Sequence, residues 1–161
     1  MLTVRRMAQA DLERVAQLSG QLGYPVALSA LDDRFARIAS DPRQALFVAE
    51  DAGRVIGWIH VHPQVLLESG SFAEIGGLVV DASVRRSGAG RALVAEAERF
   101  ARTHGFVRLC VRSNVARVEA HAFYPALGFK RLKTQHVYEK ALSDERSGAG
   151  PERPAPRART A

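Results

Sequence analysis

A chain of 161 residues, 47% hydrophobic and 25% charged, has the size and balance of one folded domain, which excludes wholesale disorder. No apolar run reaches the ~18–20 residues that span a bilayer, and the opening Met1-Leu2-Thr3-Val4-Arg5-Arg6 predicts no secretory leader. The net charge is +6; four Arg and three acids lie in residues 143–161, so +5 belongs to the rest and suits a polyanionic ligand, either nucleic acid or a phosphorylated cofactor. The single cysteine, Cys110, excludes an intramolecular disulfide and a Cys-rich zinc site, and points to a reducing cytoplasm.

In chain order, Leu2-Thr3-Val4-Arg5 alternates as a half-buried first strand does. Leu12, Val15, Ala16 and Leu22 share one helical face, closing near Gly23. Ser29 and Asp32 have the spacing of a capping box for a second helix with Leu31, Phe35 and Ile38 inward, ended by Asp41-Pro42. Residues 45–49 and 54–62 flank Asp51-Ala52-Gly53 as a hairpin. On the second of these strands, alternation puts Ile56, Trp58, His60 and His62 on one face, opposite Val55, Ile59 and Val61. Residues 63–71 read as a loop and Phe72–Val80 as a fourth strand. A helix is expected from Gly88 to Thr103, a strand at Val107–Val111, a short helix from Val115 to Leu127, and two further strands at Phe129–Leu132 and Gln135–Lys140. This order implies a mixed sheet covered by helices in a single α/β domain over residues 1–142. Residues 143–161 carry no large apolar side chain and predict a disordered Pro/Arg/Gly-rich tail.

The segment Leu78-Val79-Val80-Asp81-Ala82-Ser83-Val84-Arg85-Arg86-Ser87-Gly88-Ala89-Gly90-Arg91 carries the chemistry. An apolar strand enters a two-glycine turn that opens directly into an amphipathic helix. Glycines let backbone N–H groups approach a ligand, and the first helical turn leaves its own donors unpaired. With the helix dipole these form an anion site, to which Arg85, Arg86 and Arg91 add charge, and a pyrophosphate fits it. The spacing matches neither the dinucleotide fingerprint nor the P-loop.

Arg85-Arg86-Ser87-Gly88-Ala89-Gly90 resembles the Arg/Gln-x-x-Gly-x-Gly/Ala signature of the GNAT N-acetyltransferases. Phe72–Val80 resembles that family's central strand, and the hairpin from Val48 to Ile59, with Gly57, its preceding strand pair. Arg112-Ser113-Asn114 followed by Ala122-Phe123-Tyr124-Pro125-Ala126-Leu127-Gly128-Phe129 resembles its Asn…Phe-Tyr region. The resemblance covers residues 2–140. It implies an α+β domain with a central mixed, mostly antiparallel sheet and helices on both faces, acetyl-CoA as co-substrate, no metal, and a primary amine as acceptor. Residues 117–124 are closer to small-amine members, including the aminoalkylphosphonate type.

Acetyl transfer to an amine needs a base, because free amines are mostly protonated near pH 7, and benefits from an acid at the departing sulfur. Phe72-Ala73-Glu74-Ile75 resembles the base-bearing segment of histone-type members. Alternation puts Glu74 on one face with Gly76, Leu78 and Val80, so Glu74 reads as a base acting through water or as a structural carboxylate. Tyr124 reads as the acid toward the CoA sulfur, although Pro125 is expected to bias it away from helical angles. Gly76 and Gly77 predict a bulge or a close ligand approach. The resemblance assigns CoA to the backbone of Leu78, Val79 and Val80 and to residues 85–91, that is Arg85, Arg86, Ser87, Gly88, Ala89, Gly90 and Arg91; Asn114 is a CoA contact or a helix cap. Trp58, His60 and His62 are candidates for the acceptor pocket or for ordinary packing.

The leading reading is a small-molecule N-acetyltransferase working by direct attack in a ternary complex. Acetylation of a protein N-terminus or lysine is the rival within the class, and a non-catalytic acyl-CoA-binding regulatory module the rival outside it. Nucleic acid is disfavoured, since the charge clusters where CoA phosphates would sit. No membrane partner is expected, and a homodimer is left open.

Overall fold

The computed structural model describes residues 1–84 and 86–142. The expectations for Arg85 and for residues 143–161 lie outside the described residues. Five strands form one sheet in the order β1 (Thr3–Arg6), β2 (Ala45–Asp51), β3 (Arg54–Leu66), β4 (Gly70–Val80) and β5 (Leu109–Val111). The first four are antiparallel neighbours, and β5 runs parallel to β4. The helices are α1 (Leu12–Gln21), α2 (Leu28–Ala39), α3 (Ala89–Thr103) and α4 (Val118–Phe123).

Each face of the sheet builds its own core, because successive strand residues point to opposite sides. Ala45, Phe47 and Ala49 of β2, with Ile59 and Val61 of β3, bury against Leu93, Val94, Ala97 and Phe100 of α3. Val48 of β2 and Val55 of β3 bury against Leu12, Val15 and Leu18 of α1, and Leu31, Phe35 and Trp58 pack on that cluster. The sheet is therefore mixed, mostly antiparallel, and covered on both faces.

The hairpin forms as read, with Ala52 (φ 49°) and Gly53 (φ 75°) as its two loop residues. Elsewhere strict alternation fails at two bulges. Ala49 pairs with Gly57 but Glu50 with Val55, so Ile56 is an extra residue. It turns Ile56 to the α3 side and leaves Val55 on the α1 side with Trp58, the reverse of the alternating assignment. His60 pairs with Gly77 but Val61 with Ile75, leaving Gly76 extra on β4.

Other expectations change for physical reasons. The loop read at residues 63–71 shrinks to 67–69, since β3 and β4 pair as far as Leu66 and Gly70. Proline is tolerated at residue 63 because β3 outruns β2 beyond Val61 and has a strand on one side only. Ser29 is no cap: Ala27 occupies the N-cap of α2, and Asp32 instead accepts Gln9 Nε2–H at 3.0 Å. Residues 129–132 and 135–140 form no strand; beyond Phe129 the side chains are exposed, Val137 and Tyr138 both at 89%, and no described strand edge pairs with them.

Candidate active site

The β4–β5 pairing covers only Ala73–Ile75 against Leu109–Val111. From Gly76 to Val80, β4 therefore has β3 on one side and, among the described residues, no strand on the other. Backbone groups of this stretch that face the open side, including some of those predicted at Leu78, Val79 and Val80, have no strand partner among the described residues. The strand then runs into the turn that opens α3.

Asp81 anchors that turn. Its carboxylate is 2% exposed, bonds Arg14, and accepts from Arg54 Nη2–H at 2.9 Å, Ser83 N–H at 3.0 Å and Ser83 Oγ–H at 2.9 Å. The Ser83 hydrogen bonds, with Gln21 and Arg14 beyond them, hold its pKa down to about 2 against the opposing effect of burial. Sequence reasoning missed this network, because Arg14, Gln21 and Arg54 come from remote parts of the chain. The available signal was the Asp-x-Ser spacing, which favours a side-chain-to-backbone turn.

Gly88 is the N-cap of α3 at φ 85°, and as a glycine it offers no capping side chain of its own. The first helical bond runs from Ala92 N–H to Gly88 O at 3.0 Å. Ala89 N–H reaches Ser87 Oγ at 3.4 Å. Gly90 and Arg91 N–H lie in the first turn, where no intrahelical acceptor exists. The turn holds no acidic residue, and Arg86 (φ 67°) and Arg91 are exposed beside it. A polyphosphate fits this set of donors and charges. A Cβ at Gly90 would lie 3.1 Å from Phe123 Cζ, so the missing side chain lets α4 close against the start of α3.

Tyr124 follows Phe123. Pro125 does not displace it: Tyr124 keeps helical angles (φ −67°, ψ −43°), and the chain tightens into a 3-10 turn over Pro125–Leu127. A proline at the first position of such a turn loses a donor that would be unpaired anyway. The phenol packs edge-on between Phe123 and Phe129, at centroid distances of 5.1 Å and 5.5 Å. Burial raises its pKa above the ordinary tyrosine value, against the opposing charge of Arg117, so it carries its proton near neutrality.

The bulge at Gly76 decides which residues Glu74 meets. Leu78 and Val80 turn to the α3 side, not to the side of Glu74. Glu74 stands directly across from His62 and shares its face with His60 and Trp58. It is 5% exposed; Oε1 lies 3.3 Å from Arg112 Nε, and the buried Oε2 has no hydrogen-bond partner among the described residues. His60 Nε2 is 3.0 Å from Gln44 Oε1, and its ring centroid is 5.0 Å from that of His62. Burial, with His62 beside it, pushes the His60 pKa down to about 4, so His60 is neutral near pH 7. A Cβ on Gly76 would lie 3.0 Å from both imidazoles, and one on Gly77 2.7 Å from Trp58 Cη2. The glycines leave that face to the aromatic rings.

The structure thus brings Glu74, Trp58, His60 and His62 together on the α1 side of the sheet. Asn114 stands apart: its Oδ1 accepts Ala116 N–H at 2.9 Å in a local turn, while Arg117 is the N-cap of α4. Among the described residues no group of three or more His, Cys, Asp or Glu could hold a metal, and no helix is long and apolar enough to cross a membrane.

Residues 11–129 match the acetyltransferase (GNAT) family. The chain is 34% identical over 126 residues to an aminoalkylphosphonate N-acetyltransferase of Salmonella typhimurium, covering 78% of each chain. It is also 34% identical over 137 residues to an aminoglycoside N(6')-acetyltransferase type 1 of Stenotrophomonas maltophilia, covering 81% of this chain and 88% of that one. It spans 32% of a longer relative, a mycothiol acetyltransferase of Thermobispora bispora, at 31% identity over 96 residues. An aminoglycoside N-acetyltransferase solved in complex with CoA shares the fold, with a TM-score of 0.78 at 22% identity over 87% of this chain and 95% of that one. The chain belongs to the GNAT acetyltransferase family, and that membership makes it an acetyl-CoA-dependent N-acetyltransferase.

Proposed function

We propose that the protein moves an acetyl group from acetyl-CoA to the primary amine of a small molecule, by direct attack of the amine in a ternary complex. The observation that carries this reading is the buried, unpaired Oε2 of Glu74, on the face that also holds Trp58, His60 and His62. The relatives named for small-amine acceptors support the same class.

Acetyl-CoA supplies an activated acetyl thioester. The turn at residues 85–91 holds its phosphates through first-turn N–H groups and arginine charge, and the open edge of β4 from Leu78 to Val80 holds the arm that leads to the sulfur. Asn114, whose Oδ1 already accepts Ala116 N–H, contacts CoA through its side-chain amide N–H donors. Glu74 Oε2 accepts the proton that the acceptor ammonium must lose, directly or through one water. The Tyr124 hydroxyl, kept protonated by burial, gives its proton to the sulfur as the carbon–sulfur bond breaks and recovers it from solvent. His60, neutral and held by Gln44, adds no repulsion toward a cationic amine.

We place the enzyme in the cytoplasm, in keeping with its lone Cys110, and we treat residues 143–161 as a tail outside the catalytic domain of residues 1–142. The test is thiol release from acetyl-CoA across alkylamines, aminoalkylphosphonates, aminoglycosides and peptides. Turnover with small amines and none with peptides supports the proposal. Turnover with peptides alone transfers it to protein acetylation, and CoA binding without turnover to a regulatory module.

A further inference from the structure

Two buried polar atoms lack hydrogen-bond partners among the described residues: Trp58 Nε1 and Glu74 Oε2. They sit on adjacent strands, on one face of the sheet, and have opposite hydrogen-bonding sense. The indole N–H can only donate, and the carboxylate oxygen can only accept while ionised. A buried tryptophan N–H ordinarily finds an acceptor, and a buried orphan points to a missing partner. Resting on the acceptor site proposed above, we infer that Trp58 Nε1–H donates a hydrogen bond to an oxygen of the acceptor, so that the site selects amines bearing a hydroxyl or oxyanion group.

The direction of that N–H is set by packing. The six-membered ring of the indole lies against Gly77, where any Cβ would stand 2.7 Å from Cη2 and 2.8 Å from Cζ3. Leu22, Leu31 and Phe35 belong to the same apolar cluster as the ring. The side chain is thus gripped by its carbon edges while its one polar atom is left without a protein acceptor. Trp58 faces Val79 and Glu74 faces His62, so the two orphans are offset along the same face and take two different groups of the acceptor, its oxygen and its ammonium. An alkylamine satisfies Glu74 and leaves the indole donor unpaired. Sites built to hydrogen-bond a substrate oxygen discriminate against analogues that lack it for this reason.

Trp58 is the only tryptophan in the chain, so its fluorescence reports on this position alone. The full-length protein is titrated, with CoA present, with ethylamine, ethanolamine and 2-aminoethylphosphonate. The expected result is a saturable shift of Trp58 emission with the two oxygen-bearing amines, and binding about fivefold to tenfold tighter than that of ethylamine. Trp58→Phe keeps a ring in the pocket and removes the donor; calorimetry should then show the three amines binding alike, the fivefold to tenfold preference for the oxygen-bearing amines being lost. Equal weakening of all three amines in Trp58→Phe, or undiminished selectivity, overturns the assignment. Because the wild-type emission titration needs no variant, the assignment remains testable if Trp58→Phe fails to fold; absence of any saturable shift with the oxygen-bearing amines overturns it. Selective binding lost in Trp58→Phe, but with no thiol release from acetyl-CoA for any amine, would keep this assignment and sink the acetyl-transfer reading alone.

Discussion

Glu74→Gln separates the chemical role of the carboxylate from its place in the fold. The substitution is isosteric and removes one negative charge from a side chain that is 5% exposed. Its ionic partner among the described residues, Arg112 at 3.3 Å, is 68% exposed and returns to solvent when the charge is gone. A pair with one solvated member contributes roughly 0–1 kcal/mol, so stability should change by no more than about that. Activity should respond far more. General-base help is worth about 10²-fold or more, so kcat/KM should fall at least 100-fold, or about 2.7 kcal/mol of transition-state stabilisation. The loss should widen as pH falls, because the variant must rely on the shrinking fraction of free amine, whose pKa is ~8 to ~10. Thiol release from acetyl-CoA with one good acceptor, followed from neutral to acidic pH beside a thermal melt, measures both quantities. A variant with full activity and an unchanged acidic limb would return Glu74 to a structural role. A melt displaced by several degrees would mean that the fold, not the chemistry, was perturbed.

Tyr124→Phe keeps the ring between Phe123 and Phe129 and should lower kcat at least tenfold, about 1.4 kcal/mol, with acetyl-CoA affinity unchanged; equal kcat values would make Tyr124 a packing residue. Gly88→Glu should cut CoA affinity steeply by placing an anion in the phosphate turn; since Gly88 has φ 85°, Gly88→Asn is the control that tolerates the angle, and calorimetry should show it binding CoA far better. Acid should destabilise the fold in two stages. His60, held at about 4 against ~6.5 when unfolded, loses its contribution as pH falls from ~6.5 to about 4, and Asp81, held at about 2 against ~3.9, loses its own below ~4. Melting temperatures across pH should show His60→Gln flattening the first stage and leaving the second. A chain ending at Leu142 should keep its melting temperature and CoA affinity, because residues 143–161 carry no large apolar side chain; a drop of several degrees would show that they dock.

Local signals in this sequence were faithful wherever one element's own residues decide the outcome. The amphipathic stripes of α1 and α3, the Ala52-Gly53 hairpin and the Gly88 turn were all legible, because helical periodicity and positive-φ turns are short-range properties. The misjudgements arose where a neighbour decides. Residues 63–71 read as a loop, yet β3 continues to Leu66, with Pro63 accommodated because β2 pairs with β3 only as far as Val61. Ser29 has the spacing of a cap, but Ala27 starts the helix and Asp32 turns to Gln9. Tyr124 was expected to be pushed aside by Pro125, yet the 3-10 turn absorbs the proline without moving the preceding residue out of helical angles. The Asp81 network depends on three side chains from α1 and β3 and left only a faint local trace.

Glu74 shows how the missing information bears on function. Its identity as a candidate was readable from its segment, but its neighbours were not, because one extra residue at Gly76 exchanges the two faces of β4. Without the bulge, Glu74 would share a face with Leu78 and Val80 and point into the α3 core, where a carboxylate has no partner. With it, residues before the bulge present Glu74 to Trp58, His60 and His62, while residues after it turn Leu78 and Val80 toward α3 and leave the strand edge open. Under the proposed reaction one strand therefore serves both substrates: its side chains address the amine on the α1 side, and its unpaired edge addresses the thioester arm. Gly76 and Gly77 are the hinge of that division. A side chain at either position would collide with the imidazoles or the indole within about 3 Å, so neither glycine can be replaced without moving the residues assigned to the acceptor.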